Sequence, residues 1–177
     1  MTVTHRSSAV AVMALTLAVF VARPLLPGGS RGLLLLFAVL LMLGAGWPLH
    51  TAGRVDRQAA VPALAAGLAA FTMTRLLGGH PHLHQRPSYL AGIVLAAVAE
   101  ELFFRRFVYA VLDSGGAALA IGGSSALFAI AHVTVYGWWV LPLDLAAGLV
   151  LGWQRWASGT WTVPALTHVA ANLLIVA

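Results

Sequence analysis

Seven long apolar runs, separated by short breaks rich in Pro, Gly, Arg and His, occupy almost the whole chain. An open backbone cannot satisfy its N–H and C=O groups in lipid, so runs of about 20 apolar residues favour membrane-spanning helices. We therefore predict an all-α fold, a polytopic transmembrane helical bundle of about seven helices, within a range of six to eight. We interpret the short first run as an uncleaved first helix rather than a cleaved signal peptide. The runs lie near residues 9–22, 32–49, 59–77, 89–112, 117–135, 140–156 and 162–177.

The charged residues are too few for a soluble domain, and most lie between the apolar runs. Only 8% of the residues are charged, against about 25% in soluble domains. The net charge of +5 comes from arginines without any lysine. We interpret the arginines beside the breaks as headgroup anchors rather than a nucleic-acid surface. The lipid bilayer is therefore the expected partner of a multi-pass integral membrane protein, with no nucleic acid. These arginines are Arg6, Arg23, Arg31, Arg54, Arg57, Arg75 and Arg86.

The amino-acid usage also bears on the compartment and on the chemistry. The Ala-, Arg- and Gly-rich, Lys-free composition suggests a GC-rich prokaryotic gene, so we expect a location in the prokaryotic cytoplasmic membrane. The chain has no cysteine, which excludes thiol catalysis and zinc ligation by cysteine. The arginines divide between alternate loops without a clear bias, so the positive-inside rule leaves the orientation open.

Polar side chains divide the chain into two parts. In residues 1–86 the charges lie in the loops, whereas residues 87–177 hold polar and ionisable side chains within or near apolar runs. Such groups at membrane depth cost several kcal/mol each, so they mark functional positions. We therefore predict accessory transmembrane helices in 1–86 and the functional core in 87–177. The side chains concerned are Glu100, Glu101, Arg105, Arg106, His132, Asp144, His168 and Asn172.

Two adjacent glutamates, Glu100 and Glu101, fall near the middle of the fourth predicted helix. Neighbouring residues of a helix point about 100° apart, so the two carboxylates should have different environments. Glu101 stacks on Arg105, four residues later, as an intrahelical ion pair. Glu100 points elsewhere, flanked by Phe103 and Phe104, where a carboxylate is suited to general-base work on water. The alternative is a helix-packing ion-pair network without chemistry.

Two further pairs of residues at helical spacing follow along the chain. Phe128 and His132 lie one turn apart on one face, as do His168 and Asn172 on the last helix. A lone buried histidine is usually a satisfied polar group in the core, but beside two glutamates in an apolar span we favour a catalytic His132. His168 and Asn172 could together hold a developing oxyanion, or they could bridge helices by hydrogen bonds.

The order Glu-Glu-x-x-x-Arg, Phe-x-x-x-His and His-x-x-x-Asn on successive apolar helices resembles a known family. It is similar to the motif set of the CAAX protease and bacteriocin-processing family, glutamic-type intramembrane endopeptidases that are often labelled metalloproteases. The resemblance covers residues 87–177, with all three motifs intact, and implies that this part of the chain is an intramembrane protease core. The chain departs from the common pattern at Arg106, where the family usually has Gly. This leaves open whether Arg106 contacts substrate or lipid headgroups.

The resemblance implies a function and a role for each motif residue. The implied function is hydrolysis of peptide bonds near the C-terminus of membrane-anchored or membrane-associated substrates, which are proteins or peptides with a C-terminal processing signal. The implied roles are Glu100 and His132 activating the attacking water, His168 and Asn172 stabilising the tetrahedral oxyanion, Glu101 acting as a supporting carboxylate oriented by Arg105, and Phe128 lining the site.

Zinc catalysis is the main alternative within proteolysis. In that case Glu100, His132 and His168 would be the metal ligands. The chain has no His-Glu-x-x-His helix, and the resemblance implies metal-free acid–base chemistry, so no cofactor is expected.

Other patterns allow further alternatives. Ser124 and Ser125, followed by His168, are similar to a rhomboid-type serine–histidine arrangement, but that leaves both glutamates unexplained. We interpret the small residues at 122–126 as allowing close helix approach, and Asp144 as a first-turn acid favoured by the helix dipole. The histidines of one loop are interpreted as polar juxtamembrane residues rather than a metal site; they are His80, His82 and His84.

Two non-proteolytic functions also place glutamate and histidine inside a bilayer. A membrane transporter or proton relay is one, although the chain shows no internal repeat of the kind found in transporters with duplicated halves. A non-catalytic scaffold of the same fold is the other, and the intact motifs argue against it.

Overall fold

The computed structural model describes residues 3–25, 30–47, 55–78 and 87–176. The helices in these ranges are α1 Val3–Val21, α2 Ser30–Gly46, α3 Arg57–Gly78, α4 Pro87–Glu101, a π-helical segment Leu102–Val108, α5 Tyr109–Leu112, α6 Ala117–Tyr136, α7 Leu141–Ser158 and α8 Thr162–Val176. Because the π-helical segment joins α4 and α5 into one continuous helix, the described ranges contain seven long helices. No strand occurs in the described residues, and the all-α bundle predicted from the apolar runs is confirmed.

Glycines mark two of the breaks between helices. Gly137 follows α6 with a φ of 88°, and its N–H donates to the carbonyl oxygen of Val133 at 2.8 Å. Gly159 follows α7 in the left-handed conformation, with a φ of 68°. Glycine adopts a positive φ without the steric cost that a Cβ would impose. These helices therefore end within two residues of where the sequence predicts.

Helices α6 and α7 approach closely because small residues face each other. A Cβ added to Gly148 would lie 3.0 Å from the Cβ and 3.1 Å from the Cα of Ser125. A Cβ added to Gly152 would lie 3.1 Å from the side chain of Ile121. A Cβ at either position would be tighter than ordinary van der Waals contact, so glycine favours this approach of the two helices. The interpretation of the small residues at 122–126 as allowing close helix approach is confirmed at Ser125, whereas a Cβ at Gly122 would meet nothing within 4 Å.

An aromatic-rich core joins the helices of both halves of the chain. Phe20 of α1 lies edge-on to Phe104, with 5.9 Å between the ring centroids. The ring of Trp47, which follows α2, is likewise edge-on to that of Phe107, with 5.4 Å between the ring centroids. Residues 1–86 therefore pack directly against residues 87–177. The division of these parts into accessory helices and a protease core stays a prediction.

The outer surface of the bundle carries many large apolar side chains. Leu76, Leu77 and Trp138, for example, are 73%, 79% and 76% exposed. Soluble proteins rarely expose extended apolar surface, whereas helices that face lipid do. Among the described residues, two stretches are long and apolar enough to cross a membrane by length and composition, a criterion that core helices of soluble proteins also pass: Arg57–Leu77 and Ala117–Tyr136.

Candidate active site

The π-helical segment begins directly after Glu101. Its last turn is closed by the N–H of Tyr109, which donates to the carbonyl of Phe104, five residues earlier. Segments of this kind insert a wider turn into an α-helix and often occur at functional sites. The prediction of a regular helix here was wrong in this detail, because apolar periodicity does not distinguish a π-helical turn from an α-helical one. The segment holds Arg105 inside the bundle, where its side chain is fully buried.

Glu101 lies between a histidine and an arginine, all of them buried. Its Oε1 is 2.9 Å from Nδ1 of His168, and its Oε2 is 3.5 Å from Nε of Arg105. The four-residue spacing predicts this intrahelical contact with Arg105. Arg105 also donates from Nη2 to the carbonyl of Gly148, at 3.2 Å, and its Cζ lies 5.1 Å from the ring centroid of Phe128. These contacts tie α4 and its π-helical segment to α6, α7 and α8.

Glu100 faces two imidazole rings at once. Its Oε2 lies 3.8 Å from Nε2 of His132 and 3.9 Å from Nε2 of His168. Both distances exceed those of direct hydrogen bonds and suit groups that share a water molecule. The prediction that the adjacent glutamates have different environments is correct, but both contact His168, Glu101 at Nδ1 and Glu100 at Nε2.

His132 is oriented by its own helix and by aromatic rings. Its Nδ1 lies 2.9 Å from the carbonyl oxygen of Phe128, one turn earlier on α6. The Phe128 ring is 4.6 Å away between centroids, and Tyr136 stacks on the other side at 6.0 Å with an interplanar angle of 9°. With Nδ1–H donated to the carbonyl, Nε2 is directed towards Glu100.

Asp144 is an acidic residue of the site to which the sequence analysis gave only a structural role. It lies in the first turn of α7, as predicted, and its Oδ2 is 3.7 Å from Nδ1 of His132. Gly148, four residues later, faces Ser125 of α6. Since residues four apart share one face of a helix, this spacing is the signal that could have directed Asp144 towards α6.

The first helix contributes residues that the motifs did not indicate. The ring of Phe20 lies 6.1 Å from that of His132, and Cζ of Arg23 lies 4.1 Å from the Phe20 centroid. Burial lowers the pKa of Arg23 below its ordinary value, and the negative charge of Glu100 opposes this change. The interpretation of Arg23 as a simple headgroup anchor was therefore incomplete, because part of its side chain covers an aromatic ring beside the site.

A cavity of about 210 Å³ opens beside His168. Asn172, one turn after His168 on α8, lines it together with Phe128 and Asp144. Arg75 of α3 lines it as well, although the sequence analysis interpreted this residue as a headgroup anchor. All seven residues predicted for the site thus lie in one region, either in the glutamate–histidine cluster or along this cavity.

Arg106 does not extend into the glutamate–histidine cluster. Its Nη1 donates to the carbonyl oxygen of Gly44, on α2. A Cβ added to Gly44 would lie 2.6 Å from the backbone of Leu102, so α2 and the π-helical segment are in close backbone contact. The contact of Arg106 is therefore an interhelical one, and neither of the two contacts left open by the sequence is needed to explain it.

The geometry bears on the two alternative mechanisms of the sequence analysis, serine catalysis and zinc catalysis. The hydroxyls of Ser124 and Ser125 donate to the carbonyl of Ile121 on their own helix, at 3.3 and 2.6 Å. Within the described ranges, no group of three or more His, Asp or Glu side chains has an arrangement that could hold a metal ion. The loop histidines His80, His82 and His84 lie outside the described residues.

The described helices thus form an α-helical bundle that buries a cluster of glutamates and histidines, with a cavity beside one of the histidines, His168. The family profile described as "type II CAAX prenyl endopeptidase Rce1-like" matches residues 82–174, just over half of the 177-residue chain. The chain belongs to this family, which is a membrane-embedded family of peptidases. No curated protein and no solved structure matches the sequence significantly.

Proposed function

We propose that the chain is an intramembrane endopeptidase that hydrolyses a peptide bond near the C-terminus of a membrane-anchored or membrane-associated substrate, using water activated by Glu100 and His132. One observation carries this proposal above the others. Oε2 of Glu100 lies 3.8 Å from Nε2 of His132 and 3.9 Å from Nε2 of His168. A buried carboxylate that faces two ring nitrogens beyond direct hydrogen-bond distance can move a proton between a bound water molecule and a substrate.

In the proposed first step, a water molecule hydrogen-bonded to both Glu100 and His132 attacks the scissile carbonyl carbon. One O–H of this water donates to Glu100 and the other to Nε2 of His132. Nε2 accepts through its lone pair because the ring proton is on Nδ1, which donates to the carbonyl oxygen of Phe128. The water oxygen forms a bond to the carbonyl carbon, and its proton passes to Glu100. The electron pair of the C=O double bond moves onto the carbonyl oxygen.

In the same proposal, His168 and Asn172 stabilise that oxyanion. His168 acts here with both ring nitrogens protonated: Nδ1–H donates to Glu101 at 2.9 Å, and Nε2–H, on the side of the ring that faces Glu100, donates to the oxyanion. The amide of Asn172, one helical turn further, is a second donor beside the cavity. Donors held in fixed positions before the reaction stabilise a developing charge without reorganisation.

The tetrahedral intermediate then breaks down with Glu100 as the general acid. The proton that Glu100 received from water passes to the leaving nitrogen, the C–N bond breaks, and the oxyanion electrons restore the carbonyl. Arg105 does not take part in proton transfer. It supports Glu101 at 3.5 Å and joins it to the backbone of α7 through Gly148. No cofactor takes part in these steps.

The test compares cleavage by the purified wild-type protein, by two active-site variants and by one control variant, all in lipid nanodiscs. The probe is a fluorogenic peptide ending in a prenylated Cys, two aliphatic residues and a terminal residue, with an unprenylated version beside it. We expect Glu100→Gln and His132→Ala to lower kcat by about 100-fold or more, the usual contribution of a general base. Asp113→Asn, which removes an exposed carboxylate outside the site, is the matched control and should retain the wild-type rate.

Retention of wild-type kcat by Glu100→Gln would contradict the assignment of the base. The absence of cleavage of both peptides by the folded wild-type protein would contradict the proposed activity and favour a non-catalytic scaffold. A chelator should leave the rate unchanged. If it abolished cleavage and added zinc restored it, Glu100, His132 and His168 would be reassigned as metal ligands.

A further inference from the structure

A cationic side chain from outside the matched part of the chain lines the same cavity as His168 and Asn172. It is Arg75, near the C-terminal end of α3. The family match begins at residue 82, and the three motifs lie further along the chain, so neither accounts for this arginine. A guanidinium in a mostly apolar cavity is a specific site for an anion.

The guanidinium of Arg75 is held in place from one side. Its Nε donates to the carbonyl oxygen of Leu174 on α8 at 2.8 Å. This is its only hydrogen bond with the described part of the chain, so Nη1 and Nη2 keep their donors for another partner. The two free amino groups of an arginine form a fork that matches the two oxygens of a carboxylate.

The contact of Arg75 with α8 gives the distance between His168 and Arg75 along that helix. Leu174, to which Arg75 is anchored, lies six residues after His168 on the same helix. At 1.5 Å per residue this is a rise of about 9 Å. An extended peptide spans at most about 3.3–3.6 Å per residue, so three residues cover about 10–11 Å. A peptide cleaved beside His168 and lying along α8 would thus bring its end to Arg75 after about three residues.

The remaining cavity lining fits a short aliphatic peptide. Phe71, Leu151 and Ala171 contribute apolar side chains to the lining, and Thr74 lies next to Arg75 in the sequence. Asp144, beside His132, is the acidic side chain of the lining. Apolar walls with a few polar groups at fixed positions are typical of ligand pockets.

We propose that Arg75 binds the C-terminal carboxylate of the substrate and thereby determines how far from the chain end the peptide bond is cleaved. This assignment rests on the proposed endopeptidase function and adds to it a specificity-determining residue from the N-terminal half.

The experiment measures binding, so that it does not depend on cleavage. A fluorescent peptide ending in a prenylated Cys and three further residues is prepared as the free acid and as the C-terminal amide. Both are titrated by fluorescence anisotropy against the Glu100→Gln variant in nanodiscs. We expect the amide to bind about tenfold or more weakly, the size of one hydrogen-bonded charge. Equal affinity of acid and amide would overturn the proposal without any substitution at Arg75.

Variants then assign the difference to this arginine. In the Glu100→Gln background, Arg75→Gln should remove the preference for the acid, and Arg75→Lys should retain part of it. Arg57→Gln, which removes an exposed arginine at the other end of α3, should retain the full preference. A preference that persists in a folded Arg75→Gln variant would overturn the proposal. Because Arg75 also links α3 to α8, thermal melting of each variant checks that the bundle is intact.

The two proposals fail in different ways. If wild-type protein cleaves acid and amide peptides equally well and binds them equally, the carboxylate site is wrong and the endopeptidase function stands. If neither peptide is cleaved but the acid is preferred through Arg75, the binding site stands and the proposed activity is wrong.

Discussion

At the scale of single residues, both histidines of the candidate site have a hydrogen-bond partner at Nδ1. His168 is held at Nδ1 by Glu101, and His132 is held at Nδ1 by the carbonyl of Phe128. In both rings Nε2 is left to face Glu100. A side chain whose position is fixed before the reaction needs no reorganisation in the transition state. The arrangement therefore favours chemistry at Glu100 over a passive ion-pair network.

Asp144 is predicted to be a positioning residue for His132. Its carboxylate lies 3.7 Å from Nδ1, where it favours donation of the Nδ1 proton towards the carbonyl of Phe128 and so keeps Nε2 directed at Glu100. We expect Asp144→Asn to lower kcat about tenfold with little change in KM, a loss equal to one charge-assisted contact. The measurement is steady-state cleavage of the prenylated peptide.

Two companion variants separate positioning from a general structural role. Asp144→Glu keeps a carboxylate and should recover a large part of kcat, whereas Asp113→Asn should have no effect. If Asp144→Asn raised KM without lowering kcat, Asp144 would instead be assigned to substrate binding in the cavity that it lines.

At the scale of helices, close backbone contacts decide where the site residues lie. The π-helical segment is pressed against α2 at Gly44, and α7 is pressed against α6 at Gly148. The carbonyl of Gly148 accepts a hydrogen bond from the buried Arg105, which in turn supports Glu101. A displacement of α7 would therefore move Arg105, and with it the carboxylate of Glu101.

Gly148→Ala should destabilise the bundle because the added Cβ meets backbone and Cβ atoms of Ser125 at 3.0–3.3 Å. Overpacking of this kind costs about 1–3 kcal/mol, so we expect a lower midpoint of thermal unfolding in detergent and lower activity. Gly122→Ala is the matched control on α6, since its Cβ would meet nothing within 4 Å. That variant should be as stable as the wild type or slightly more stable, because alanine favours helices over glycine. Equal destabilisation by both substitutions would argue against a specific close contact at Gly148.

At the scale of the whole molecule, the site is assembled from both halves of the chain. Phe20 of α1 lies against the ring of His132, and Arg75 of α3 lines the cavity beside His168. The three sequence motifs all lie after residue 87, yet the surroundings of the site include helices that precede it. Residues 1–86 thus contribute walls and a cation to the site region in addition to their place in the core.

The apolar outer surface predicts how the protein partitions between water and lipid. With side chains such as Leu76, Leu77 and Trp138 largely exposed, we expect the chain expressed in a bacterial host to stay in the membrane pellet after alkaline carbonate washing and to require detergent for extraction. A peripheral membrane protein in the same sample, released by the wash, is the control. Recovery of the chain in the carbonate supernatant would contradict integration into the bilayer.

The helices and the local residue pairs of the candidate site are predictable from the amino-acid sequence alone. Each predicted apolar run coincides with a described helix, because hydrophobic length and the position of Pro, Gly and charged residues act locally. The contact of Glu101 with Arg105 follows from four-residue spacing on one helix, and so does that of His132 with the carbonyl of Phe128. The high cost of placing ionisable groups in an apolar span is what led us to predict the site in this part of the chain.

Which residues from distant parts of the sequence meet depends on the tertiary packing of the helices. The contacts of Glu100 with His132 and His168, and the place of Asp144 beside His132, depend on how α4, α6, α7 and α8 pack. The π-helical turn and the entry of Arg75 into the cavity were likewise not predicted. The physical reason is the same in each case: close packing at glycines and bulky aromatic rings sets the distances between helices, and this complementarity has no periodic signal along the chain.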